Sequence, residues 1–300
     1  MRKNISHLVL AVSVVLGVAS SFGIPDQLVV GNIHAQDTTR SLTKMIVGRP
    51  VAAGAHIFWF QRNGSSNQFS IHGYNADFDR PFRIPGRPVN GSSLATDGTT
   101  VAWVERVRGR EERVQGYNAR TGQVTTLLPL AERNLAELAL DRGRLLYQDA
   151  MPVHRGIYAY TIATGQEQQL SLTGQNPVAA DGIVLWSEEQ FQGQHRPARW
   201  TLYMRHIDGT GRTRLLASDR APFSGYSVSG DQIVWSFFPP AVDRRVHLYR
   251  ISTETRTAIS TEPARYPIAH GNTIVWTSEP PSGLSRSSRW AVQSYRSDLR

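Results

Sequence analysis

The segment "PVAADGIVLW" (177–186) indicates the type of fold, because the chain repeats its pattern elsewhere. The segments "PVAAGAHIFW" (50–59) and "PIAHGNTIVW" (267–276) have the same layout. Each opens on a proline, carries a glycine near its middle and closes on a tryptophan nine residues after the proline. A pattern that recurs with a fixed internal spacing predicts a protein built from repeated structural units.

The closing aromatic residue marks six such units along the chain. Its positions are Trp59, Trp103, Tyr147, Trp186, Trp235 and Trp276. Successive positions are 44, 44, 39, 49 and 41 residues apart, and a Gly or Asp-Gly turn signal precedes each one. Units of this length are typical of propeller blades and of solenoid repeats.

The second half of each unit distinguishes between these architectures. Segments such as "RVQGYNARTGQVTTL" (113–127) and "GIYAYTIATGQEQQL" (156–170) read as two short alternating strands around a Gly-bearing turn, which predicts an antiparallel hairpin. Each unit then holds four strands, A to D, with the aromatic residue in strand B. We therefore predict an all-β, six-bladed β-propeller with four-stranded antiparallel blades. The predicted repeats are about 48–91, 92–131, 132–174, 175–220, 221–263 and 264–300.

The last predicted repeat contains strands A, B and C but no strand D. The segment "TTRSLTKMIV" (38–47) resembles the D strands and directly precedes the first strand A. We expect residues of about 38–46 to complete blade 6 beside 291–297, so that no strand edge is left open. In this arrangement Pro177 starts the inner strand A of blade 4, and the aromatic residue of strand B packs against a neighbouring blade.

The N-terminal segment is typical of an export signal. Arg2 and Lys3 precede an apolar run of 12 residues (8–19), which is shorter than the roughly 20 residues of a membrane-spanning helix. We predict a signal peptide over 1–35 with cleavage after Ala35, or alternatively after Ala19. The mature chain, 36–300, is expected to be one extracytoplasmic domain, secreted, periplasmic or on the cell surface, without a stable membrane span.

Composition excludes several classes of site. The chain has no cysteine, so a disulfide framework, a cysteine zinc site and a thiol nucleophile are all excluded. The net charge is +9, but the basic residues are dispersed rather than grouped in the runs that follow a phosphate backbone. We expect no nucleic-acid partner, no cofactor and a monomeric chain.

Two segments resemble the repeats of TolB-type β-propellers, namely "DGTTVAWVE" with "VQGYNARTGQVTTLL", and "DGIVLWSEE" with "LYMRHIDGTGRTRLL". The resemblance extends over about 36–300 and implies a six-bladed propeller. It is much less specific for activity. We expect a stand-alone propeller, without the α/β domain of TolB or the hydrolase domain of prolyl oligopeptidases.

The connections between strands B and C are the predicted binding region, because they are longer than the other connections and loops on a rigid scaffold usually carry binding residues. They are expected at 61–69, 105–112, 149–155, 188–200, 237–245 and 279–290. Aromatic and arginine side chains are typical anchors of protein interfaces. The candidate binding residues are Phe191, His195, Arg199, Trp200, Phe237, Phe238, Arg244, Arg289 and Trp290. The first hypothesis is therefore a non-catalytic propeller that binds a protein or an envelope or extracellular polymer.

Three blades carry a carboxylate two residues after the aromatic position, at Glu105, Asp149 and Glu188. Carboxylates can bind a divalent cation or act as acid and base. Such a site would support the alternative hypothesis, an extracytoplasmic enzyme acting on a glycan or a lactone. The simpler interpretation, which we favour, is that these carboxylates pair with nearby arginines such as Arg106, Arg108 or Arg155. No other catalytic motif is evident, so we predict no catalytic residues.

Overall fold

The computed structural model consists of antiparallel sheets arranged as the six blades of a propeller. The residues that it describes are 46–53, 56–62, 69–75, 78, 80–86, 88, 94–191, 198–239, 241, 243–278 and 291–296. Within these ranges every regular element is a β-strand. The prediction of an all-β, six-bladed propeller is confirmed.

The strands follow one another along the chain in blade order. Blade 1 contains β1 (Ile46–Ala53), β2 (His56–Arg62), β3 (Phe69–Asn75) and β4 (Arg80–Ile84). Blade 2 contains β5 (Ala95–Thr96), β6 (Thr100–Arg108), β7 (Glu111–Asn118) and β8 (Val124–Glu132). Blade 3 contains β9 (Leu135–Asp141), β10 (Arg144–Asp149), β11 (Gly156–Thr161) and β12 (Gln166–Ser171). Blade 4 contains β13 (Gly174–Ala180), β14 (Ile183–Gln190), β15 (Arg199–His206) and β16 (Arg214–Asp219). Blade 5 contains β17 (Phe223–Ser229), β18 (Gln232–Phe237), β19 (His247–Arg250) and β20 (Thr255–Ala258). The described strands of blade 6 are β21 (Ala264–His270), β22 (Thr273–Ser278) and β23 (Ala291–Arg296).

Blades 1 to 5 are complete, and each pairs its strands in the order A-B-C-D. Strand A of one blade contacts strand A of the next from blade 1 to blade 6, which places these strands innermost. Blade 6 has three strands among the described residues, β21, β22 and β23. The predicted closing strand at 38–46 lies outside the described residues apart from Ile46, which begins β1. Closure of the ring by this segment therefore stays a prediction.

Strand B is the buried centre of each blade. In β14 the five residues from Ile183 to Ser187 are all buried, and in β18 all six residues are buried. A blade covered by neighbours on both faces needs apolar residues on both sides of its central strand, so this strand reads as a continuous apolar run. The outer strand β12, "QEQQLS", is instead exposed over its first four residues.

The repeated aromatic residue packs against the preceding blade. Trp103 shares a core cluster with Phe58 and Ile84 of blade 1, and Trp235 shares one with Leu185 of blade 4. The same arrangement holds for Tyr147, Trp186 and Trp276. The expectation that this ring of aromatics forms the packing between blades is confirmed for these five positions.

The prolines have a different role from the one predicted for Pro177. They do not start strand A: β13 begins at Gly174, three residues before Pro177, and β21 begins at Ala264, three residues before Pro267. Each proline lies where the register between strands A and B shifts, between Gln175 and Val178 in blade 4. A β-bulge leaves one residue unpaired in the ladder, so it tolerates a proline that has no N–H to donate.

Blade 2 also departs from the prediction. The B-to-C connection expected at 105–112 is a two-residue turn, because β6 continues to Arg108 and β7 begins at Glu111. The charged segment "ERVRGREE" (105–112) is compatible with strands here because the ends of this hairpin extend into solvent, where residues 106–111 are exposed.

Hydrogen bonds link the A-to-B turns of neighbouring blades. The amide of Gly182 donates to Asp141 Oδ2 of the preceding blade at 2.7 Å, and the amide of Gly230 donates to Asp181 Oδ2 at 2.6 Å. In the next pair of blades the amide of Gly271 donates to Ser229 Oγ at 3.0 Å. The turn side chain of each of these blades therefore fixes the turn of the blade that follows.

This turn contact predicts a specific loss of stability. Asp181 has a φ of 54°, a conformation that Asn also adopts easily and that is costly for Ala. We expect Asp181→Ala to lower the free energy of unfolding by about 2 kcal/mol, through the lost hydrogen bond and backbone strain. Asp181→Asn keeps both an acceptor oxygen and the turn, so its loss should be less than half as large. Urea denaturation measures both, and equal stability of the wild type and the Ala variant would contradict the role assigned to this contact.

Candidate functional site

The strands within each blade run antiparallel, so the connections between them lie at two opposite ends of the propeller. The B-to-C connections and the D-to-A crossings between blades lie at one end, here called the loop end, which includes 109–110, 150–155 and 171–173. The A-to-B and C-to-D turns lie at the opposite end, here called the turn end, which includes 142–143, 181–182 and 207–213. The predicted binding residues belong to the loop end.

Blade 4 places three of the predicted residues around its B-to-C connection. Phe191 follows β14 and is 80% exposed, the highest value among the large apolar side chains described as exposed. Arg199 and Trp200 begin β15, where Arg199 is exposed and Trp200 is half-buried opposite Glu189. His195 lies outside the described residues. Phe191, Arg199 and Trp200 therefore frame the same connection.

Blade 5 separates the two predicted phenylalanines. Phe237 is only 3% exposed and belongs to the core between blades 4 and 5, with its ring centroid 4.6 Å from that of Phe223. It is the last residue of the buried strand β18, so it is not available to a surface partner, and its assignment as a binding residue is corrected. Phe238, the next residue, is half-buried beneath the guanidinium of Arg265, at 5.2 Å, and contacts the edge of Tyr266.

Of the other predicted residues at the loop end, the structure describes Arg244, which lies in the B-to-C connection of blade 5. The carbonyl of Arg244 accepts a hydrogen bond from the amide of Ala264 at 2.9 Å, which ties the loop of blade 5 to blade 6. Beside it, hydrogen bonds from Arg245 hold the pKa of Asp243 down at about 2. Burial lowers the pKa of His247, stacked on Trp235, to about 4, which favours its neutral form. Arg289 and Trp290 lie outside the described residues.

Two of the three candidate carboxylates hold the crossings that enter their own blades. Asp149 Oδ1 accepts the amides of Asn134 at 3.2 Å and Met151 at 2.9 Å. Glu188 accepts hydrogen bonds from Ser171 Oγ at 2.7 Å, from Thr173 Oγ1 at 3.2 Å and from Trp186 Nε1 at 2.9 Å. Neither of these contacts is the arginine pairing that the sequence favoured, because the nearby crossing supplies the donors instead.

Glu105 does pair with an arginine, but with a different one. Its Oε2 accepts from Arg113 Nε at 2.8 Å, and its backbone bridges to Pro88 in the crossing that enters blade 2. Arg106 instead binds the fully buried Glu112, whose Oε2 accepts the amide of Leu135 at 2.7 Å. Among the residues that the structure describes, no three His, Asp or Glu side chains are grouped as metal ligands. Asp149 and Glu188 therefore contact crossings through their carboxylates, whereas Glu105 contacts its crossing through its backbone.

The structure adds to the predicted Phe191 four exposed apolar residues that the sequence patterns did not identify. Among the described residues, eight large apolar side chains are exposed. Five of them lie at the loop end of blades 2, 3 and 4, and these are Val107, Leu130, Val153, Leu172 and Phe191. We call these five residues the apolar patch. The available signal was a single aliphatic residue between polar or turn residues, as in "RVRGR" (106–110) and "SLTG" (171–174).

Comparisons with known proteins identify the fold. No protein-family model matches the chain, and no curated protein matches it. The chain is similar to the β-propeller domain of the Trilobed protease from Pyrococcus furiosus, which has an open velcro topology, with a TM-score of 0.61 and 11% identity over 85% of this chain and 83% of that domain. It is also similar to TolB from Acinetobacter baumannii, with a TM-score of 0.52 and 13% identity over 77% of this chain and 59% of that one.

An oligogalacturonate lyase in complex with manganese is a third similar structure, with a TM-score of 0.54 and 10% identity over 76% of this chain and 72% of that one. At such identities these similarities show the fold alone, and the chain has a TolB-like six-bladed propeller. The described residues include no helix that is long and apolar enough to cross a membrane.

The contacts of Glu188 predict a structural role that can be separated from catalysis. We expect Glu188→Ala to lower the free energy of unfolding by about 2 kcal/mol, because it leaves the buried Trp186 Nε1 without its acceptor and releases the crossing at 171–173. Glu189→Ala changes the neighbouring half-buried carboxylate and should cost less than about 0.5 kcal/mol. Denaturation of both variants checks this, and a Glu188→Ala protein as stable as the Glu189→Ala protein would rule the structural role out.

Proposed function

We propose that this protein is an exported, non-catalytic β-propeller that binds a protein partner through its loop end. The apolar patch on blades 2, 3 and 4 is the observation that carries this proposal. These five exposed side chains lie at the same end of three successive blades, and exposed apolar surface of this kind is typical of a surface that meets a partner. The patch lies at the end where the sequence predicts binding.

The composition of the loop end supports a protein as the partner. Exposed arginines accompany the apolar side chains, with Arg108 and Arg110 beside Val107, and Arg155 in the same connection as Val153. Protein interfaces combine apolar anchors with arginine and aromatic side chains in this way. Phe191, Trp200 and Phe238 supply aromatic surface on the neighbouring blades.

The export and non-catalytic parts of the proposal rest on other observations. Export is inferred from the apolar segment that follows Arg2 and Lys3, with cleavage proposed after Ala35 or Ala19. A non-catalytic role is inferred because the carboxylates that suggested chemistry hold crossings between blades, as Asp149 and Glu188 do. An envelope or extracellular location would give the loop end access to partner proteins there.

Site-specific photocrosslinking tests the proposed face. A benzoylphenylalanine placed at Phe191 or at Val153, which are 80% and 75% exposed, samples the apolar patch. The matched controls are Phe78 and Leu215, which are 78% and 60% exposed but lie toward the turn end. In envelope and medium fractions of the source cells, both patch positions should give the same discrete crosslinked protein.

The control positions test whether crosslinking is specific to the loop end. Neither Phe78 nor Leu215 should yield that product. The double variant Val153→Ala/Phe191→Ala should bind the purified partner at least about tenfold more weakly, with unchanged thermal stability because both side chains are exposed. Equal crosslinking from the control positions, or undiminished binding by the double variant, would show that the loop end is not the binding face.

A further inference from the structure

A groove lies at the turn end, between blades 3 and 4. The groove has a volume of about 420 Å³, which is within the range of about 300–1,000 Å³ that ligand sites occupy. One wall is the outer strand β12, and the other is the C-to-D turn of blade 4 at Asp208. The apolar patch lies at the other end of the propeller, so this groove is a separate surface.

The local structure explains how the side chains come to face the groove. Gln166 and Gln168 are two residues apart on β12, so they lie on the same face of the strand. Gly209 allows the turn of blade 4 to come close, because a Cβ there would lie 3.3 Å from Gln168 Oε1. Gly209 also has a φ of 81°, a conformation that favours glycine.

The lining is almost entirely polar and rich in groups that can both donate and accept hydrogen bonds. It contains the carboxamides of Gln166 and Gln168, the hydroxyl of Thr161 and the guanidinium of Arg144, with Ala159 as the apolar residue. Within the part of the chain that the structure describes, neither carboxamide is hydrogen-bonded to another residue. An apolar ligand would bury these groups without satisfying them, which is costly.

The charges of the groove argue against an anion or a metal ion. Hydrogen bonds from Thr210 lower the pKa of Asp208, so this carboxylate is ionised, and it lines the groove together with Arg144. Glu167 adds a second acidic residue, which opposes an anionic ligand. Glu167 Oε2 is already engaged by Arg133, at 2.9 Å, and by the hydroxyl of Tyr147, so it is a poor metal ligand.

We propose that this groove binds a neutral saccharide, such as a segment of a polysaccharide chain. Neighbouring sugar hydroxyls donate and accept at the same time, which matches an array of carboxamide, hydroxyl, guanidinium and carboxylate groups. The lining residues of β12 and Asp208 are exposed, so the groove is accessible to a section of a polymer. The proposal does not depend on the partner proposed for the loop end.

Isothermal titration of the full chain with maltohexaose, cellohexaose and chitohexaose tests the proposal, with a hexamer of galacturonic acid as the charged comparison. At least one neutral hexamer should bind with a Kd below about 10 mM and more tightly than the charged hexamer. The variant Gln166→Ala/Gln168→Ala should weaken this binding about tenfold or more. Gln123→Ala, at an exposed glutamine in the C-to-D turn of blade 2, is the control and should leave it unchanged.

Three results would overturn the proposal. The first is the absence of binding by all three neutral hexamers. The second is tighter binding of the galacturonic acid hexamer, and the third is equal affinity of the wild type and the double variant. Thermal melting of the variants separates a binding loss from a folding loss, because the two glutamines are exposed and their removal should leave the melting temperature unchanged.

Discussion

The packing of each blade between two neighbours is the constraint on which the rest of the structure depends. A four-stranded sheet exposes two faces, and in a ring both must be covered by adjacent sheets. Strand B meets this requirement with residues buried on both sides, and its aromatic residue fills the wide space against the preceding blade. Trp103, Trp186 and Trp235 are almost entirely buried for this reason. The repeated sequence pattern is therefore explained by the packing between blades and does not indicate a ligand site.

Polar residues that suggest chemistry are used to align the blades. Asp181 binds the turn of the following blade, while Asp149 and Glu188 hold the crossings that enter their own blades. Buried backbone amides and hydroxyls require partners, and carboxylates at equivalent positions supply them. In a propeller, a carboxylate that recurs from blade to blade is therefore weak evidence for catalysis unless it lacks such a structural partner.

The sequence predicts the fold well because the fold depends on periodic burial, which is visible in one dimension. Gly-bearing turns and the spacing between aromatics define the blades and their strands. The sequence does not reveal the bulges at the prolines, because an extra residue within a strand leaves the apolar pattern on either side intact. It also does not reveal the two-residue turn at 109–110, since charged strand ends that extend into solvent resemble a loop.

The candidate site is less predictable because it depends on exposure and on contacts between distant segments. Phe237 and Phe238 are neighbours in the sequence, yet only the second reaches the surface, according to where β18 ends. The apolar patch combines single apolar residues from three blades, which no local pattern groups together. The groove beside Gln166 and Gln168 requires a turn from the next blade, so it too becomes visible only in three dimensions.

The repeated aromatic residue acts as a packing element between blades. Chemical denaturation of the Trp235→Ala variant tests this most directly, because Trp235 is fully buried against blade 4. Removing a large aromatic side chain from such a core should lower the free energy of unfolding by about 3–5 kcal/mol. A loss below about 1 kcal/mol, a size typical of a surface substitution, would contradict the claim.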